Sequence, residues 1–91
     1  MISDVPPTHY FTFAGSVVKI YHAGKGQGLA RHEHEYAHAT VCHSGRCVIR
    51  KENVALEMTK ETQPVVLKAN EWHEIEALED GTVICNIMPQ E

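Results

Sequence analysis

Polar and less polar residues alternate with a period of two through His73-Glu74-Ile75-Glu76-Ala77, the pattern of a half-buried β-strand. Residues 11–22 also read as strand, with Val17, Val18, Ile20 and Tyr21 as the β-formers. Residues 36–42, 47–50, 56–59, 64–67 and 82–88 read the same way. Turn signals separate these runs. Gly24, Gly26 and Gly28 make a flexible loop, and Ser44-Gly45, Asn53 and Ala69-Asn70-Glu71 turn the chain. Glu79-Asp80-Gly81 carries a hairpin signature. Pro6-Pro7 closes an extended N-terminal arm over residues 1–10. No segment of helix length shows an apolar stripe of period 3.6. Short strands spaced roughly 8–12 residues apart predict an all-β fold, a small antiparallel β-barrel or jelly roll. Residues 1–91 are expected to form a single domain, because so short a chain leaves no core for a second.

Composition narrows the function classes. Apolar residues make up 43% and charged residues 22%, a globular balance. The net charge of -4 argues against a nucleic-acid binder, which needs a basic face to neutralise phosphates. Arg50-Lys51 is the one adjacent basic pair. No apolar run approaches the ~20 residues of a membrane span, and the start of the chain has no leader pattern. Cys42, Cys47 and Cys85 form no even framework and no CxxC pair, so reduced thiols and a cytoplasmic location are expected. Seven histidines in 91 residues are the outlier.

Three of them lie in Arg31-His32-Glu33-His34-Glu35-Tyr36-Ala37-His38. His34 to His38 spells HExxH, which on a helix puts two imidazoles on one face with Glu35 as base. The context opposes a helix. Three glycines precede the stretch, Ala39-Thr40-Val41-Cys42 follows it, and His32 would be left unused. On a strand, His32, His34 and His38 share parity and point to one side. A straight strand, however, separates His32 from His38 by about 20 Å, at ~3.3 Å per residue. Metal–nitrogen bonds of ~2.1 Å cannot span that. A shared ion therefore requires a bulge or corner around Glu35-Tyr36-Ala37.

The spacing Gly26-x5-His32-x-His34-x3-His38-x6-Gly45 resembles the first motif of the cupin superfamily, with His38 where cupins usually carry Glu. Lys68-Ala69-Asn70-Glu71-Trp72-His73 resembles the second motif, a Pro-x-Gly-x-x-His turn. Lys68 replaces the Pro, Asn70 replaces the Gly and tolerates positive φ, and Ala77 stands in place of the trailing Asn. The resemblance covers residues 15–89. It implies a small β-barrel with one divalent metal ion inside its mouth, held by His32, His34, His38 and His73. It also looks like the all-histidine variant of small cupins, which bind manganese, iron or another divalent ion; zinc and nickel also suit imidazole. Fold-level analogy further implies a homodimer paired through N-terminal strands, with Phe11-Thr12-Phe13 as an apolar edge.

Four neutral ligands leave the full +2 charge of such an ion in place, so an anionic small-molecule ligand is expected. An octahedral ion keeps two positions open for chemistry; tetrahedral zinc with four imidazoles is a closed, structural site. The leading functional reading is a metal-dependent enzyme on a small molecule, either a dioxygenase or an isomerase or lyase for a carboxylate or carbonyl compound. Tyr36 is the candidate catalytic residue. A non-catalytic binding protein for a small molecule or sugar, and a zinc-stabilised scaffold, are the alternatives. Tyr36, Cys42, Trp72, Cys85 and Ile87 are candidates for the cavity wall, with core packing the plainer role. His9 and His43 read as solvated, and His22 as a residue that ends a strand near the mouth. Cys42 and Cys47 flank a turn where they face each other across a hairpin. Arg46 and Arg50 clamp a carboxylate only if they point inward. Glu33, Glu35 and Glu74 flank the histidines, and their parity turns them mostly away.

Overall fold

β-branched and aromatic runs bounded by Gly, Asn and Pro leave the chain no helical option, and the described residues, 1–90, contain none in this computed structural model. Ten strands follow in order: β1 (Ser3–Asp4), β2 (His9–Phe13), β3 (Ser16–Ala23), β4 (Gln27–His32), β5 (His38–Ser44), β6 (Cys47–Lys51), β7 (Val54–Met58), β8 (Val65–Leu67), β9 (His73–Ala77) and β10 (Thr82–Pro89). They form two five-stranded sheets, β1-β4-β9-β6-β7 and β2-β3-β10-β5-β8. Every pairing is antiparallel except β1 on β4. The architecture is a small all-β jelly-roll barrel.

Alternation along the strands sorts residues between the interior and the outside. On β9, His73, Ile75 and Ala77 are buried and Glu74 and Glu76 are not. On β10, Thr82, Ile84, Asn86 and Met88 point inward. Ile49, Met58, Leu67, Ile75 and Ile84 are fully buried, packed with Tyr21, Cys42 and Cys47. Each such aliphatic side chain stabilises the fold by roughly 1.5–3 kcal/mol relative to exposure.

Several elements differ from the sequence pattern. Residues 11–22 are not one strand. Ala14 and Gly15, both at positive φ, turn β2 back on β3. The flexible-loop reading fails for Gln27 and Gly28, which open β4. Gly28 is needed there because an added Cβ would lie 2.1 Å from the Ile75 carbonyl oxygen. The N-terminal arm is tied in: Ser3 and Asp4 pair with Gln27 and Gly28, and residues 9–10 already belong to β2. The strand expected at 56–59 runs Val54–Met58, after a tight turn with Asn53 at φ 59°. Glu79-Asp80-Gly81 is a turn, but β9 and β10 lie in opposite sheets, so it crosses the barrel rather than closing a hairpin. β5 and β6 are also in opposite sheets, so Cys42 and Cys47 meet across the interior.

Candidate metal centre

Two departures from regular strand bring the imidazoles together. The first is in β4. Leu29 pairs with Ile75 and His32 pairs with His73, so three steps on β4 oppose two on β9. This is a β-bulge, with Ala30 and Arg31 sharing one partner position. Leu29 faces the interior, and a regular strand would turn His32 outward; the extra residue turns it in beside His73. The Ala30 amide donates to Asp4 Oδ1 at 2.7 Å, so the N-terminal arm supplies the partner that the bulged backbone needs. The second departure is the corner after β4. Residues 33–37 leave the ladder, with bends at Glu35 and Tyr36, and His38 opens β5 in the other sheet. That is the corner the sequence spacing required. There is no helix through Tyr36.

The turn carrying His73 is held to this corner. Asn70 sits at φ 61°, in the conformation expected where the second motif normally has Gly. Its amide donates to the His34 carbonyl at 2.8 Å.

The ring nitrogens of His32, His34 and His73 lie within 4.8 Å of one another. Each Nδ1–H donates to a backbone carbonyl two residues away: His32 to Ala30 at 2.7 Å, His34 to Tyr36 at 2.9 Å, and His73 to Glu71 at 3.1 Å. A carbonyl only accepts, so the proton sits on Nδ1 and the Nε2 lone pair is free. His38 is buried beside this set. Its Nε2 is 3.3 Å from His73 Nε2, and it lies outside the mutual set of three. Thr40 donates its hydroxyl proton to Asn86 Oδ1 at 2.7 Å and is therefore left to accept from His38 Nδ1 at 3.2 Å. Nε2 of His38 thus also bears a lone pair. Two lone pairs facing each other at 3.3 Å repel unless an electrophile stands by them.

Burial, followed by the neighbouring imidazoles, lowers His38 and His73 from 6.5 to about 4. The rings are neutral at pH 7 and do not supply that electrophile as protons. A divalent cation fits this donor set: neutral nitrogens, fixed tautomers, and the outer hydrogen bonds that hold metal-ligating imidazoles in orientation. Those outer partners, backbone carbonyls and one Thr–Asn pair, were not visible in the sequence. No residue type marks a carbonyl two positions away.

The centre forms one wall of a cavity of about 200 Å³. Tyr36 also lines it and stacks on His34 with centroids 4.3 Å apart and planes 4° from parallel. Lys19, Tyr21 and Asn86 line it as well, and the sequence did not single them out. Lys19 pairs with Asn86 across β3 and β10, and that register carries the inward signal. Burial, and secondarily Tyr36, raises the Tyr21 phenol above its usual range, so it remains a protonated donor. No Asp or Glu lines this cavity among the described residues.

Other candidates lie elsewhere. Cys85 and Ile87 face outward with Ile20, Val41, His43 and Val83. Trp72 packs under the Arg31 guanidinium, 3.8 Å from its ring centroid, rather than lining the cavity. Cys42 is core. Arg50 pairs with Glu74 at 3.0 Å and Glu76 at 2.8 Å on the outer face, and Arg46 pairs with Glu57 and Glu79. Neither arginine clamps a ligand at the histidines. Glu33 and Glu35 are exposed, in the corner between β4 and β5. His22 is exposed and bonded to Thr8 Oγ1 at 2.6 Å, away from the cavity; His9 is on β2 and His43 near the end of β5, both exposed.

Comparison with known proteins agrees with this architecture. A cupin-2 domain protein from Shewanella frigidimarina has a TM-score of 0.74 at 13% identity, over 94% of this chain and 84% of that one. A conserved protein with a double-stranded β-helix domain from Klebsiella pneumoniae has a TM-score of 0.73 at 18% identity, over 92% and 76%. A cupin protein from Bacteroides fragilis has a TM-score of 0.68 at 20% identity, over 85% and 68%. No protein-family model matches the chain, and no curated protein does. This chain has the cupin fold, a small β-barrel carrying a three-histidine cluster sized for a metal ion.

Proposed function

We propose that the protein is a metal-dependent enzyme acting on a small carboxylate or carbonyl compound, in dioxygenase or in isomerase or lyase chemistry. One observation carries the reading. Three imidazoles have their Nδ1 atoms tied to carbonyls and their remaining nitrogens within 4.8 Å of one another, beside a cavity. His32, His34 and His73 hold the ion, and His38 is the fourth donor. Manganese, iron, zinc and nickel all suit the set. The bound ion supplies Lewis acidity, and a redox-active one also supplies electron transfer with dioxygen.

The chain's own groups account for the rest. Lys19 forms no ion pair among the described residues and lines the cavity, so it orients an anionic group. An adjoining hollow of about 240 Å³ shares Lys19, Tyr36 and Met88 and leaves room for a larger body on the same ligand. Leu29 and Met88 exclude water from one wall. Tyr36, held flat against His34, is the candidate proton carrier. A reduced, cytoplasmic setting suits the three free thiols.

Metal analysis of protein purified without chelator or nickel affinity, followed by dioxygen uptake over a panel of carboxylates and diketones, tests the reading. Iron or manganese at one per chain with turnover supports it. A chain that stays metal-free in saturating divalent ions defeats it. The absence of a cavity carboxylate among the described residues favours a second reading, a metal-containing binding protein. Loaded iron, tight carboxylate binding and no turnover would select that one. Tetrahedral zinc without an open position would select a scaffold.

A further inference from the structure

One row of side chains crosses the inner face of the β2-β3-β10-β5-β8 sheet, from its edge to the histidine centre. Register defines it. Tyr10 of β2 stands beside Lys19 of β3, Lys19 beside Asn86 of β10, and Asn86 beside Thr40 of β5. The row begins on an edge strand, where Tyr10 is 62% exposed, and ends at the hydroxyl that accepts from His38.

Two donors in this row are uncommitted. Thr40 gives its proton to Asn86 Oδ1 at 2.7 Å, which fixes the amide and leaves Nδ2 to face another way. Asn86 is 4% exposed and lines the cavity, and its Nδ2 has no hydrogen-bond partner among the described residues. An amide donor in that position carries a desolvation penalty until something accepts from it. It is not sealed off from the cavity, because among the described residues no fully buried side-chain nitrogen or oxygen lacks a partner. Lys19 lines the same cavity and forms no ion pair among the described residues. An ammonium and an amide N–H on neighbouring strands match a singly charged group with two acceptor oxygens, which is a carboxylate. A phosphate calls for more positive charge than one lysine. A sugar calls for acceptors, and no Asp or Glu lines this cavity among the described residues.

The adjoining hollow of about 240 Å³ lies on the edge side of Lys19, walled by Tyr10, Val17, Tyr36, Met88 and Pro89. Two phenol rings, a thioether and a proline ring make a flat, polarisable lining. Aromatic rings gain from offset or edge-on contact beyond the area they bury, and thioethers gain from lying against a ring edge. The Lys19 ammonium stands 5.7 Å from the Tyr10 ring centroid, so the charge that holds an anion is next to the surface that holds a ring.

We propose that the site takes an aryl carboxylate, its carboxylate between Lys19 Nζ and Asn86 Nδ2 and its ring in the hollow of Tyr10, Tyr36 and Met88. This rests on the carboxylate reading given above and narrows its substrate class. It makes Tyr10 and Asn86, neither of them a metal ligand, the residues that set specificity.

Calorimetric titration of benzoate, cyclohexanecarboxylate and acetate into the full chain, metal-loaded and metal-free, tests this. The three acids share one carboxylate, so any bond to the ion cancels in the comparison. Benzoate is expected to bind about tenfold tighter than acetate and about threefold tighter than cyclohexanecarboxylate in both preparations. Tyr10→Ala should erase that preference and leave acetate as it was. Tyr10→Phe should keep it, because the ring acts and not its hydroxyl. Asn86→Asp keeps the acceptor for Thr40 and puts a charged oxygen where the donor was, so benzoate should weaken about tenfold while neutral benzamide is spared. Tyr10 is an exposed position, so its variants decide the matter even where Asn86→Asp fails to fold. Equal affinity for the three acids, or a preference that survives Tyr10→Ala, overturns the proposal and leaves the histidine centre standing. A metal-loaded chain that binds none of the acids overturns it together with the carboxylate reading. A chain that takes up no metal yet prefers benzoate upholds it while the metal-dependent reading falls.

Discussion

The interior of the barrel has two ends built on the same strands, and they obey different rules. At one end Cys42, Cys47, Met58 and Ala77 close the sheets with apolar contacts and no free polar atom. At the other, the inward positions of the same strands, or of their neighbours, carry His32, His38, His73, Asn86 and Lys19. β9 shows the change within five residues: Ala77 at the closed end, Ile75 between, His73 at the mouth. Burying imidazoles and an amide contributes little to stability, and each needs a partner to avoid a desolvation penalty. The closed end therefore bears the weight of folding, and the mouth holds an unspent set of lone pairs. Substitutions at the two ends should separate stability from binding.

The largest effect is expected at the closed end. Met58→Ala opens a fully buried site and should cost about 2–5 kcal/mol in denaturant unfolding, with metal stoichiometry unchanged. Loss of metal binding in a folded Met58→Ala protein would break the division. Next comes Thr40→Val, which keeps the shape but removes the acceptor for His38 Nδ1. Metal affinity should weaken by about 10–100-fold in a competitive chelator titration. An unchanged affinity would take His38 out of the donor set. Third is Lys19→Met, where carboxylate affinity should fall about tenfold, or about 1.4 kcal/mol, by calorimetry on metal-loaded protein. Binding of a neutral analogue should be untouched, and equal losses for both would mean general disruption of the cavity.

The smallest effect near neutrality is that of protons. His38 and His73 are lowered from 6.5 to about 4 by burial, so between those values the unfolded chain binds more protons than the folded one. The metal-free protein should be most stable above pH 6.5 and lose stability as the pH falls from 6.5 toward 4. A melting temperature flat over that window would show these imidazoles to be solvated rather than packed.

Local pattern and local stereochemistry were legible in the sequence. Period-two alternation located β9, β-former content located β10, Asn70 announced a turn at positive φ, and the spacing His32-x-His34-x3-His38 demanded a corner near Glu35 to Ala37, where the chain does bend. These features depend on residues a few positions apart, whose side-chain directions the backbone dictates by itself. What was misread depended on partners distant in sequence. The break at Ala14–Gly15 creates β2, which is stable as a strand only because β3 lies beside it. The bulge at Ala30–Arg31 has no composition of its own, and it exists because Asp4 takes the Ala30 amide and His32 is drawn level with His73. Cys85 and Ile87 looked like cavity residues until the register with β3 and β5 set their parity outward.

Residue chemistry alone thus determined that this chain makes strands, turns at particular places, and holds an excess of imidazole at a spacing suited to one ion. Tertiary structure alone decided which nitrogen of each ring is free and which cation and phenols share the cavity. The physical reason is that side-chain direction on a strand follows from neighbours in sequence, whereas hydrogen-bond acceptors, bulges and exposed faces are defined by whichever strand is folded against them.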